Sequence, residues 1–377
     1  MNRLEQHLSE KLEERKRNGN LRTLSLRRAP VDFYSNDYLG LATEGTLQNM
    51  MLDAPVSPHA TGSTGSRLLS GNGELTECLE HTVATFHRAE AALVFNSGYN
   101  ANLGLLASIA GRDTTIIYDE LCHASLIDGM RLSLVTRKYK YAHNDLNELQ
   151  GKIRKFRNEG PVIVVTESVF SMDGDTAPLV EIAALCEQHD AGLIVDEAHA
   201  TGVIGDHGAG LVCNLGLEDK VFARIHTFGK ALGCHGAAVV GSDVLKQYLI
   251  NFARPFIYTT ALPDHAIQAA TCAYKYLSDP GFSNEPLHLL ISYFRQCIAR
   301  TGSRGWKDSN SAIQALVVGD NIRSKQLADR LQNAGLQVNA ILHPTVPPGM
   351  ERLRVCLHSF NTREQVDVLF DLCSETS

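Results

Sequence analysis

Leu4, Leu8 and Leu12 recur four apart among charged residues. That spacing predicts an amphipathic helix, ending near Gly19. Residues 59–73 (HATGSTGSRLLSGNG) are rich in glycine and serine and predict a loop. Beyond it the pattern alternates. A helical spacing over 74–89 leads to the unbroken apolar run 91–95. A second over 99–110 leads to 114–118, a third over 145–157 to 161–166, and a fourth over 178–190 to 192–195. A further strand-like stretch covers 222–227. Short continuous runs of valine and isoleucine are the signature of strands buried on both faces. The repeated rhythm predicts an α/β fold, a mainly parallel sheet covered by helices.

After Asp279-Pro280-Gly281 the texture changes. The pattern predicts a helix at 284–300, a strand at 311–318 and a helix at 322–334. Strands at 337–342 and 352–357 and a helix at 363–373 follow. This describes a smaller α+β domain. The organisation expected is an N-terminal helix and arm (1–45), a large domain (46–277) and a small C-terminal domain (278–377). No internal repeat is visible.

At 377 residues the chain can bury a large core without disulfides. Apolar residues make up 44% and charged residues 20%, which excludes a disordered or low-complexity chain. A net charge of −7 argues against sequence-independent nucleic-acid binding. The nine cysteines form no CxxC pair, against a zinc ribbon or a thioredoxin-type site. No metal site is expected. Scattered thiols suit a reducing cytoplasm. The charged N-terminus lacks the apolar core of a signal peptide. No run of about 18 apolar residues is present, so no membrane span is expected.

The chemistry begins at the end of the 192–195 strand, with Asp196-Glu197-Ala198-His199. In open α/β sheets ligands bind beyond the carboxyl ends of strands. An acid and a histidine three residues apart there could face one ligand, or could be a capping acid and a surface histidine. The letters DEAH also occur in helicase-type ATPases, but the phosphate loop those need is missing. Gly202, Gly205, Gly208 and Gly210 do not match a dinucleotide fingerprint. Lys230 lies in a glycine-rich, nearly uncharged stretch, Thr227-Phe228-Gly229-Lys230-Ala231-Leu232-Gly233. A desolvated lysine loses its proton more easily and can form a Schiff base with an aldehyde; a surface lysine is the plain alternative. Ser97-Gly98-Tyr99-Asn100 opens a helix after a strand, a place suited to a phosphate or to an ordinary turn. His123 starts another helix and could present a flat ring to a flat ligand. An imine-forming lysine, an acid 34 residues before it and a phosphate-suited helix start together describe a pyridoxal-phosphate (PLP) site.

These residues sit in longer segments: SNDYLG at 35–40, SGYNAN at 97–102, HASL at 123–126 and SVFSMDGD at 168–175. DEAHATGVIG at 196–205, TFGKALG at 227–233 and RLRVCL at 352–357 complete the set. On them the chain resembles the α-oxoamine synthases among the fold type I PLP-dependent transferases, from about Ser35 to the C-terminal helix. The resemblance implies a large PLP-binding domain and a homodimer with shared active sites. Lys230 would hold PLP covalently, Asp196 would pair with the pyridinium nitrogen, and His199 and Ser171 would bond the phenolic oxygen. His123 would stack on one ring face, where it would also polarise the thioester carbonyl or shuttle a proton, and Ala198 would pack on the other. Gly98, Tyr99 and Thr227 would hold the phosphate, and Thr259 and Thr260 would reach the phosphate of the neighbouring subunit. Arg354 would bind the amino-acid carboxylate, with Arg22, Asn36 and Thr345 near the acyl substrate.

SAIQALVVGDN at 311–321 and HPTVPPG at 343–349 look most like the branch that joins L-alanine to a pimeloyl thioester. The acyl donor would be coenzyme A or an acyl carrier protein. The nearest rivals are sister activities using glycine with acetyl-CoA or succinyl-CoA, or serine with a long acyl thioester. A scaffolding subunit on the same fold would typically lack the lysine, and a nicotinamide dehydrogenase would retain NAD. Glu197 stands where related sequences often carry a second aspartate, and the resemblance gives His226 and His235 no role.

Overall fold

The computed structural model describes residues 2–24, 26, 29–54 and 61–374; residues 59 and 60 of the glycine- and serine-rich loop lie outside them. The chain forms two compact units. One comprises Asn36–Ser171 and Thr176–Glu285, the other Met1–Ser35, Met172–Asp175 and Pro286–Ser377.

The first unit is built on seven strands: β1 (Ala91–Phe95), β2 (Thr115–Asp119), β3 (Arg137–Tyr141), β4 (Val162–Glu167), β5 (Ala191–Asp196), β6 (Ala223–Thr227) and β7 (Ala237–Gly241). Their spatial order is β1-β7-β6-β5-β4-β2-β3. All pairs from β6 to β3 are parallel, and β7 is antiparallel to both its neighbours. The mainly parallel α/β sheet expected from the alternating pattern is therefore present.

Side chains alternate across a strand, so the unbroken apolar runs divide between two faces. Ile116, Ile163, Val165, Ile194 and Ile225 pack on one side with Leu105, Leu106, Met130 and Leu249 from helices. Ile117, Val164, Leu193 and Val195 pack on the other with Leu149, Ile153, Ile182 and Cys186. Burying each aliphatic side chain of this size contributes about 1.5–3 kcal/mol. Two strands escaped the pattern. β3 (RKYKY) lies at the sheet edge with alternating exposed positions, where charge protects an open edge from further pairing. β7 (AAVVG) is short and mostly alanine and glycine.

The second unit carries β8 (Ile313–Val317), β9 (Asn339–Ile341) and β10 (Arg352–Cys356) in the antiparallel order β9-β10-β8. Its helices include Glu285–Thr301, Asn321–Asn333 and Arg363–Ser374. The first 35 residues join this unit because Val31–Asp32 pairs in parallel with Leu336–Gln337. Residues 172–175 join it too: Arg352 pairs with Asp173, and Ser309 Oγ donates to Gly174 O at 2.8 Å. The helix Arg3–Arg17 begins with a capping box between Asn2 and Glu5 and ends at Asn18, just before Gly19 (φ 67°). Its leucines all stay more than half exposed. No described helix is long and apolar enough to cross a membrane.

Candidate functional site

Three neighbouring strands of the first unit end in polar side chains: β4 in Glu167, β5 in Asp196 and β6 in Thr227. Glu167 and Asp196 are register partners, so their carboxyls leave the sheet side by side. The helices Gly98–Ile109 and Ala124–Leu132 begin beside these ends, capped by Ser97 and His123. Together they enclose a cavity of about 140 Å³. It gathers eight of the residues singled out from the sequence: Gly98, Tyr99, His123, Asp196, Ala198, His199, Thr227 and Lys230.

The polar groups form a directed network. Lys230 Nζ lies 2.7 Å from His199 Nε2, and His199 Nδ1 lies 2.7 Å from the Tyr38 hydroxyl. Tyr38 in turn donates to Asn36 Oδ1 at 3.1 Å. Asp196 accepts from Asn102 Nδ2 at 2.7 Å and from the Ala198 amide at 2.9 Å. Glu167 accepts the His123 backbone N–H at 2.6 Å. Burial, reinforced by the Asp196 carboxylate, pushes the Glu167 carboxyl up to about 8, while Lys230 opposes the shift.

These residues fit a PLP molecule. Asp196 is buried and makes no ion pair with any described cation. A buried carboxylate is costly without a cationic partner, and a pyridinium N–H supplies one. Gly98 leaves room at the helix start, since a Cβ there would come within 3.3 Å of Thr227 Oγ1. Free backbone N–H groups at that start suit a phosphate.

Other expected residues lie elsewhere. Ser171 is buried in the same unit but does not line the cavity. Thr259 and Thr260 line a separate space of about 20 Å³ with Arg67 and Asn96, and Asn96 Nδ2 donates to Thr259 Oγ1 at 3.0 Å. Arg22, Thr345 and Arg354 belong to the second unit. There Arg22 Nη2 donates to Thr345 Oγ1 at 3.0 Å, and Arg354, on β10, reaches Cys356 Sγ at 2.9 Å.

Four residues that line the cavity or join its network, Ser125 among the lining, were not singled out from the sequence. Tyr38, Asn102 and Ser125 lie inside the motifs SNDYLG, SGYNAN and HASL, and Glu167 directly precedes SVFSMDGD. An acid at a strand's carboxyl end is a signal of the same kind as Asp196. The two unassigned histidines differ. His226 is buried and stacks on His87 at 3.5 Å between ring centroids, with Nδ1 bonded to Thr201 Oγ1 at 2.8 Å. His235 is not among the cavity residues.

Comparison with known proteins matches the chain along nearly its whole length. The aminotransferase class I and II family matches residues 28–371. A protein of Marinobacter nauticus named 8-amino-7-oxononanoate synthase is 42% identical, over 96% of this chain and 94% of its own length. One of the same name from Emericella nidulans is 41% identical over 90% and 88%. Among solved structures, the Francisella tularensis 8-amino-7-oxononanoate synthase shares 29% identity and a TM-score of 0.77, covering 92% of this chain and 97% of that one. A serine palmitoyltransferase solved with PLP shares 26% identity and a TM-score of 0.88, covering 99% and 97%.

Proposed function

Because the chain belongs to the 8-amino-7-oxononanoate synthases, PLP-dependent acyl-transferring enzymes of the aminotransferase class I and II family, we propose that it condenses L-alanine with a pimeloyl thioester. The products are 8-amino-7-oxononanoate, carbon dioxide and the free thiol, a step of biotin synthesis. The observation that carries this reading is the meeting in one cavity of Lys230, His199 and the buried Asp196, whose described partners are all neutral donors.

PLP supplies an electron sink that stabilises negative charge at the alanine α-carbon. Asp196 keeps the pyridine nitrogen protonated, and a protonated ring is the better sink. Lys230 Nζ would hold the cofactor covalently and, as a free amine, would accept the alanine α-proton as general base. General-base help of this kind is worth roughly 10²–10⁴-fold. Gly98, Tyr99 and Thr227 hold the phosphate, and Thr259 and Thr260 serve that of the neighbouring subunit in a homodimer. His199 and Ser171 would hold the phenolic oxygen, and His123 and Ala198 would pack against the ring. Arg354 holds the alanine carboxylate as a bidentate guanidinium, and Arg22, Asn36 and Thr345 line the acyl side. The thioester arrives on coenzyme A or an acyl carrier protein.

The test is to load the purified protein with PLP, add L-alanine and then pimeloyl-CoA, and follow both cofactor absorbance and product mass. A spectral response to alanine followed by 8-amino-7-oxononanoate is the expected result. A response to glycine or serine with none to alanine would move the chain to a sister activity. Lys230→Ala should lose turnover and the absorbance of the lysine-bound cofactor; a variant that still turns over removes Lys230 as base.

A further inference from the structure

His123 occupies an unusual place for a histidine. It is the N-cap of the helix Ala124–Leu132, and its side chain takes the part usually played by a serine or aspartate oxygen. Nδ1 accepts the Ser125 backbone N–H at 3.2 Å, and Ser125 Oγ lies 2.7 Å from the same nitrogen. Ser125 Oγ itself accepts from Asn102 Nδ2 at 2.9 Å, and the other Nδ2 hydrogen goes to Asp196 Oδ2 at 2.7 Å.

The donor sense of this chain follows from its ends. Asn102 must turn its amide nitrogen, not its oxygen, toward the Asp196 carboxylate. Both amide hydrogens are then used. The Ser125 backbone N–H donates to His123 Nδ1, which makes Nδ1 an acceptor, so the Ser125 hydroxyl gives its own hydrogen to it. Two donors therefore converge on Nδ1, which leaves the ring proton on Nε2. An imidazolium would set an Nδ1–H against the Ser125 amide, and would place positive charge at the positive end of a helix dipole. Nε2 bonds to no described residue, and the ring faces the cavity.

Asn102 and Ser125 are nearly fully buried, so the links between Asp196 and the His123 Nδ1 are shielded from water, although His123 itself is exposed. The charged groups around the ring act in opposite directions. Burial and the Lys230 ammonium push the imidazole pKa down, while Asp196 and Asp128 pull it up, and the net direction is down. Glu167 touches the residue only through its backbone N–H.

We infer that Asn102 and Ser125 are positioning residues that lock His123 as the neutral Nε2–H tautomer. On the proposed reading of the reaction, His123 is then a fixed hydrogen-bond donor to the substrate carbonyl oxygen and does not relay protons. The two roles make different demands. A donor needs one stable N–H pointing into the cavity, whereas a relay needs Nδ1 or Nε2 to gain and lose a proton during turnover.

The experiment uses full-length PLP-loaded enzyme labelled with nitrogen-15 at histidine, with the His123 signals assigned by their loss in His123→Gln. The expected spectrum has a bare Nδ1 and a protonated Nε2, unchanged across neutral pH. Ser125→Ala should move the ring toward a tautomer mixture and lower kcat/KM for the thioester roughly tenfold, the scale of one misdirected hydrogen bond. Its PLP affinity should be unchanged, and Ser125→Thr should restore the tautomer. A protonated Nδ1 in the wild type, or an imidazolium at neutral pH, overturns the inference whatever the variants do. A Ser125→Ala spectrum identical to wild type removes Ser125 from the role. Failure to bind PLP would instead count against the proposed function, since the ring tautomer is readable with or without cofactor.

Discussion

Glu197 has no exposed surface, and its two oxygens accept the backbone N–H groups of Leu211 and Val212 at 2.8 and 3.1 Å. Burial nevertheless outweighs those bonds and the nearby Arg224, and raises the carboxyl from 4.5 to about 7. The sign of the consequence is fixed. Below pH 4.5 both folded and unfolded chains hold the proton. As pH rises toward about 7 the unfolded chain releases it first, so stability falls through that window and levels off above it. Denaturant titrations should show wild type losing stability relative to Glu197→Gln between these limits; a difference constant in pH would contradict it. At the cofactor, Asp196→Ala should weaken PLP binding by an amount of the class of about 3–5 kcal/mol seen when a buried charge loses its partner, measurable by cofactor titration. Arg354→Ala should raise the alanine KM roughly ten- to hundredfold, the value of a charge-assisted hydrogen bond, and an unchanged KM would refute the assignment. Lys230, Asp196, His199 and His123 were legible because each carries its chemistry in its residue type. Asn102, Ser125 and Glu167 were not, because their part is defined by whom they touch, and one strand or helix position looks like another until the neighbours are known.

The strands and helices that the pattern revealed are those with an apolar face to bury. Leu105 on the helix Gly98–Ile109 is fully buried against the sheet, and Leu105→Ala should cost about 2–5 kcal/mol by chemical denaturation. A loss below 1 kcal/mol would mean that this helix does not clamp the site. β3 was hidden for the opposite reason. Its arginine and lysines meet water at the sheet edge, so it has no continuous apolar run to read. β7 was hidden because alanine and glycine give weak periodicity, although all but its last residue is buried. The helix Arg3–Arg17 shows the limit of amphipathic reasoning. Its leucine stripe is real and its caps are in place, yet none of its residues is buried within this chain.

At the level of the whole molecule, the expected sharing of sites between two subunits has a direct check. Co-expressing Lys230→Ala with a Thr259→Ala/Thr260→Ala double variant should restore part of the activity that each lacks, because a mixed dimer rebuilds one native site. No recovery would argue that each subunit works alone. The αβ alternation and the change of texture after Gly281 were readable along the chain, because both are local patterns. The attachment of the first 35 residues to the C-terminal segment was not, because it rests on contacts between residues about 300 apart, among them the pairing of Val31–Asp32 with Leu336–Gln337 and the bonds from Asn20 to His343 and from Arg22 to Thr345. That pairing sets an order of events on the ribosome. Val31 and Asp32 leave the ribosome well before their strand partners Leu336 and Gln337, which lie about 300 residues further along the chain. The intervening unit has its own sheet complete by Gly241, so it can fold as a domain while synthesis continues. Val31 and Asp32 thus find their place only after the intervening sheet can already have formed.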